Sequence, residues 1–325
     1  MRVAAVALAC ACASAGAHAA AAPTHKAAAA PRAHASHAHT AAPVDSAVQR
    51  LPGEPQAVFV KDGAIMSPVA TVAAGSIDAF PSASTAAGIA ASTTAASVNT
   101  DLAQRYFLPG RAYYLYGDGA AAKGIAAGPK KMSCESLTGA VAAPAGAAAP
   151  TDGVLTNFAL GPQGPAARAP TVDEQKLITQ MAKQLLKRQN VPPHYIALLL
   201  GKLQTGLQRQ QSQAVLALPG KTRPLLFASY ALDWTLANLR GSFSLTFIAE
   251  PNDTGVYIPT YRDFDNIEGE GSGETRKFLA NVDLNGDGSD ELILSATGSE
   301  HWWYEVLSRV NGKWTLAAKG GGGGC

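Results

Sequence analysis

The chain has 325 residues, 26 Lys and Arg against 24 Asp and Glu, and 47% hydrophobic residues. That near-balance offers no basic footprint for nucleic acid or an anionic membrane surface. One or two domains are expected at this length. No apolar run of membrane-spanning length occurs beyond the N-terminus, which predicts a mature chain without a transmembrane helix.

The first residues read as a secretory signal. Arg2 precedes the apolar run Val3–Ala9, and small residues follow up to Ala17, His18 and Ala19. A signal peptide over 1–22 predicts a secreted or periplasmic protein; lipidation of Cys10 is the alternative. Residues 23–52 are rich in Ala, Pro and His and read as a disordered linker. His34, His37 and His39 are close enough in sequence to catch a soft divalent metal, although a solvated linker accounts for them.

Short strands are expected from residue 53 to 160. Gln56–Val60 and Ile65–Val72 flank a turn at Asp62 and Gly63, and Arg111–Tyr116 carries Tyr113, Tyr114 and Tyr116. Ser82–Thr100 reads as a loop, and Val154–Leu160 as one more strand. A helical segment is expected over 161–210. Thr171 and Glu174 have capping-box spacing, and Leu177, Ile178, Met181, Leu185 and Leu186 form an apolar stripe. Pro192 and Pro193 end that helix. A second helix is expected from His194 to about Leu207.

Residues 211–325 read as two β repeats, and the second contains the most informative stretch of the chain. Asp283, Asn285 and Asp287 stand at positions 1, 3 and 5 of a loop between two apolar runs. Ser289 offers a backbone carbonyl at position 7, and the acid Glu291 closes the loop at position 9. Gly286 and Gly288 permit a sharp bend. Calcium takes six to eight oxygen ligands, so this donor pattern suits it. The flanks read as strands, which separates the loop from an EF-hand. A hairpin turn with solvated acids is the alternative.

This loop resembles the calcium loop of FG-GAP and VCBS-type repeats, the blades of integrin-like propellers. The resemblance covers the C-terminal part only. It implies Ca2+ held by Asp283, Asn285, Asp287, the Ser289 carbonyl and Glu291. A fainter copy starts at Ala217, where Ala217, Pro219, Lys221 and Leu225 stand in place of Asp283, Asn285, Asp287 and Glu291. Lys221 puts a cation where that copy has lost its acids. Strand pairs follow each copy, at Ser242–Glu250 with Val256–Pro259 and at His301–Arg309 with Lys313–Ala317.

The fold class expected is mainly β (α+β): antiparallel strands in a meander or two sheets, with one or two helices. Eight strands in two repeats are too few for a complete propeller. Cys134 and Cys325 remain after signal cleavage and form a candidate disulfide, closing a loop of about 190 residues for roughly 5 kcal/mol of chain entropy. The glycine run Gly320–Gly324 reads as a flexible tail carrying Cys325.

No nucleophile elbow, zinc-protease motif or phosphate loop occurs. Asp263, Asp265, Glu268 and Glu274 suggest a second cation site or a solvated loop. Trp302 and Tyr304 share a strand face and form a candidate ligand face, with core packing as the alternative. The reading is a non-enzymatic calcium-binding protein that meets an unknown protein or a cell-surface glycan. A secreted hydrolase using acids and His301 within 263–301 is the rival, and an envelope-tethered structural lipoprotein is a third reading.

Overall fold

Alternating side chains and tight turns lay most of this chain out as antiparallel strands in a computed structural model. The structure describes residues 48–80, 100, 102–131, 137–142, 150–201, 208–217, 221–236, 239–268, 273–298 and 301–324. All of them lie in one unit, residues 41–325.

The first seven strands are β1 (Gln56–Asp62), β2 (Ile65–Ala73), β3 (Ser76–Ala79), β4 (Ala112–Gly117), β5 (Ala120–Lys131), β6 (Leu137–Ala142) and β7 (Gly153–Thr156). They pair in the order β1-β7-β4-β5-β6-β2-β3, and β1 also pairs with β2. Six strands therefore close into a barrel, with β3 attached outside. The expectation of antiparallel strands holds, but the closed barrel was not foreseen: closure removes the two free edges an open sheet would leave. Period-2 alternation fills the interior. Ala57 and Phe59 of β1 point inward with Tyr113, Leu115 and Leu155. Val58 and Val60 point outward. The Phe59 ring lies 5.3 Å from Tyr113 and 5.5 Å from Tyr106, tilted or edge-on to each. The Tyr113 hydroxyl donates to the Tyr106 carbonyl. The buried Glu54 carboxylate pairs with Arg111 at 2.6 Å.

Helix α1 (Val172–Arg188) begins at the expected capping box. The Thr171 hydroxyl accepts from the Glu174 N–H, and the Glu174 carboxylate accepts from the Thr171 N–H. Arg168 forks onto the same carboxylate with two contacts of 2.7 Å and holds the Glu174 carboxyl down to about 2. Thr171→Ala should lower stability by about 1 kcal/mol; a urea midpoint equal to wild type would refute the cap. Helix α2 (Pro193–Leu200) is shorter than expected and ends at Gly201, which has an extended backbone.

Two four-stranded meanders follow. The middle sheet holds β8 (Gln208–Leu216), β9 (Leu225–Leu236), β10 (Leu239–Pro251) and β11 (Tyr257–Glu268). The last sheet holds β12 (Thr275–Val282), β13 (Glu291–Thr297), β14 (His301–Val310) and β15 (Lys313–Gly324). The Ala217 copy and the Asp283 loop occupy the same place, between the first and second strands of each sheet.

Sheet alternation also sets the stacking. Leu226, Ala228, Tyr230 and Leu232 of β9 pack with α1 and α2. Leu225 and Phe227 face the other way, onto Leu292 and Leu294 of the last sheet. Ile293, Tyr304 and Val306 pack on the outer wall of the barrel, with Val58 and Val60. The layers run barrel, last sheet, middle sheet, helices.

The glycine tail is not a free arm. Residues 320–324 extend β15, which pairs with β14 and lies along β2. A Cβ on Gly320 would sit 2.5 Å from the Val69 carbonyl oxygen, and one on Gly322 would sit 2.5 Å from that of Trp302. Gly321 has φ +61° at the register shift between Trp302 and Tyr304. Glycine is used for close backbone approach, not for flexibility.

Candidate metal loop and its surroundings

The expected calcium loop joins β12 to β13. Gly286 (φ +76°) and Gly288 (φ +85°) take left-handed backbone conformations and fold the loop over its first residue. The Asp283 Oδ1 accepts from the Gly286 N–H at 2.8 Å, and Oδ2 from the Gly288 N–H at 3.0 Å. Asn285 Oδ1 accepts from the Asp287 N–H at 3.0 Å, and Asp287 Oδ1 from the Ser289 N–H at 2.8 Å. These are successive Asx turns: each side chain caps backbone donors two to five residues on. The Asn285 amide donates to Asp287 Oδ2 at 3.2 Å.

Glu291 is different, because it is fully buried beneath the loop. Its Oε2 accepts from the Leu284 N–H and its Oε1 from the Ser308 hydroxyl, each at 2.8 Å. Burial pushes its carboxyl up to about 7, helped by the charges of Asp287 and Asp283 and opposed by those two hydrogen bonds.

The five expected ligand residues thus share one loop, yet among the described residues no three His, Cys, Asp or Glu side chains converge as a metal-holding group. Like charges repel, and the backbone donors draw each acid onto its own part of the loop. Each carboxylate oxygen that accepts one hydrogen bond still has a second lone pair. The donors are hard oxygens throughout, counting the Asn285 amide and the Ser289 carbonyl. That chemistry fits calcium and not a soft metal.

Other expectations fare differently. Tyr304 is 3% exposed, and Trp302 packs edge-on to it at 5.7 Å against the barrel wall. Tyr304 is therefore an internal packing residue, and Trp302 beside it is only partly buried. Stacking the last sheet on the barrel covered Tyr304. His301 is exposed, and its imidazole enters no side-chain hydrogen bond among the described residues. Cys134, Cys325, Glu300 and His34, His37 and His39 lie outside the described residues.

The acids of 263–274 meet a cation that sequence reasoning passed over. Arg276 on β12 is 6% exposed. Its guanidinium bonds Glu305 at 2.7 Å, Asp263 at 2.9 Å and Glu274 at 3.0 Å. Its backbone N–H donates to the buried Ser229 hydroxyl, which pairs with Thr246. The Trp303 indole N–H donates to Glu305 at 2.8 Å. Asp263 and Glu274 thus serve an internal tie between the two meanders. A second tie joins Glu250 of β10 to Arg309 and to the Trp314 indole, each at 2.6 Å. The only signal in sequence was the isolated charge on strands otherwise apolar at alternate positions.

No family model, curated protein or solved structure matches this chain. Among the described residues no helix is long and apolar enough to cross a membrane.

Proposed function

We propose that this is a secreted or periplasmic, non-enzymatic calcium-binding protein of the FG-GAP/VCBS repeat type, acting as a glycan- or protein-binding module. One calcium ion would be held by Asp283, Asn285, Asp287, the Ser289 carbonyl and Glu291. The observation that carries the reading is the glycine-hinged loop: four oxygen-bearing side chains and one carbonyl follow the spacing of a β-type calcium loop. The buried Glu291 carboxyl supports it, since a divalent cation beside it would favour its ionised form. Two stacked four-stranded meanders, with turns at corresponding places, support the repeat reading. The calcium is structural in this reading: it binds the folded loop and stabilises it by mass action.

Extracellular-type sites bind with dissociation constants of about 10⁻⁴–10⁻³ M, so calcium at about 1 mM should add about 0.4–1.4 kcal/mol of stability. Asp287→Ala should remove that gain and abolish the response of the melting temperature to chelator. Calorimetry with CaCl2 on both proteins checks it. No heat of binding in wild type, or an unchanged chelator response in the variant, counts against the site.

A further inference from the structure

The side chains of Asp283, Asn285 and Asp287 are held by the loop itself. They accept from backbone N–H groups within the loop or, at Asp287, from the Asn285 amide. Glu291 is the exception. Its Oε2 accepts from the Leu284 N–H inside the loop, but its Oε1 accepts from the Ser308 hydroxyl on β14 at 2.8 Å. Among the described residues, Ser308 is the one side chain outside the loop that bonds a residue read as a calcium ligand.

Strand register puts it there. Leu292 pairs with Leu307, so one step on, Ser308 stands opposite Glu291. Directly opposed side chains share a face of the sheet. Here it is the face that carries Ile293 and Val306 onto the barrel wall. Glu291 is 0% and Ser308 8% exposed, so bulk solvent has little access to replace the hydroxyl. A Glu side chain has several rotatable bonds, and that freedom must be given up before it can present a ligand. Two donors from different elements fix both of its oxygens. The carboxylate cannot turn without losing one of them, and each oxygen keeps a second lone pair for a cation.

The first repeat supplies an internal comparison. Leu226 pairs with Ala249, so Leu225, the counterpart of Glu291, stands opposite Glu250. Glu250 is committed to Arg309 and to the Trp314 indole. The copy without the closing acid therefore also lacks the hydroxyl across from it.

We propose that Ser308 is a positioning residue of the calcium site: its hydroxyl orients the Glu291 carboxylate toward the ion and so sets the calcium affinity. The inference rests on the calcium reading above and adds a residue that lies outside the loop motif.

The full chain and its Ser308→Ala, Ser308→Cys and Ser308→Thr variants are titrated with CaCl2 by calorimetry, and each is melted in chelator alongside. Ala removes the donor, and Cys keeps the volume but offers only a weak S–H donor. Both should weaken calcium binding at least about tenfold, the usual effect of losing a partner that orients a metal ligand. Thr keeps the hydroxyl and should stay within about threefold of wild type. The melts in chelator separate this role from simple support of the fold. A hydroxyl that only satisfied a buried carboxylate would lower the melting temperature in chelator and leave the dissociation constant unchanged. That result, or a Thr variant as weak as Ala, overturns the inference alone. If wild type itself takes up no calcium, the calcium reading fails and the inference falls with it.

Discussion

Arg276→Leu should destabilise the protein by about 3–5 kcal/mol, the cost of leaving a buried carboxylate without its partner. Glu305 is 2% exposed and would keep only the Trp303 indole N–H. The magnitude follows from burial, since an exposed ion pair contributes about 0–1 kcal/mol. The double variant Arg276→Leu/Glu305→Leu should recover much of the loss, because both charges then leave the interior together. Urea unfolding of wild type, both single variants and the double variant closes the cycle. A loss below about 1 kcal/mol for Arg276→Leu would mean that the cluster is wet and behaves as a surface pair.

The second large effect is expected at a glycine. Gly320→Ala places a methyl group 2.5 Å from the Val69 carbonyl oxygen, closer than a Cβ can approach a backbone atom. Every atom the methyl would meet belongs to the Val69 backbone, so β15 must move off the barrel or distort it. The expected cost is about 1–3 kcal/mol or more. Gly161→Ala is the control, since nothing lies within 4 Å of its added Cβ. A thermal melt of Gly320→Ala that coincides with wild type would show that β15 does not lie on the barrel. This outcome would also restore the view of 320–324 as a flexible arm.

These two sites mark the limits of sequence reasoning. Arg276 was legible only as one charge on a strand, because its four partners come from β9, β11, β14 and the residue just ahead of β12, and meet through sheet stacking. The glycine run was read for its freedom, since sequence alone cannot distinguish a glycine that must bend from one that must be thin. Trp302 and Tyr304 share a strand face, as period-2 alternation requires. Whether that face meets a ligand or a barrel depends on a neighbour more than two hundred residues away in the chain.

Local physics did determine a good deal. The capping box at Thr171 and Glu174, the apolar stripe of α1 and the two strand-loop-strand units over 211–325 all follow from spacings of a few residues. The glycine hinges of the Asp283 loop do too. Barrel closure, the order of the layers and the buried Arg276 tie were decided by tertiary structure. Each depends on which already-formed sheet faces stack, and that is set by shape and burial across the whole chain, where no short spacing carries a signal.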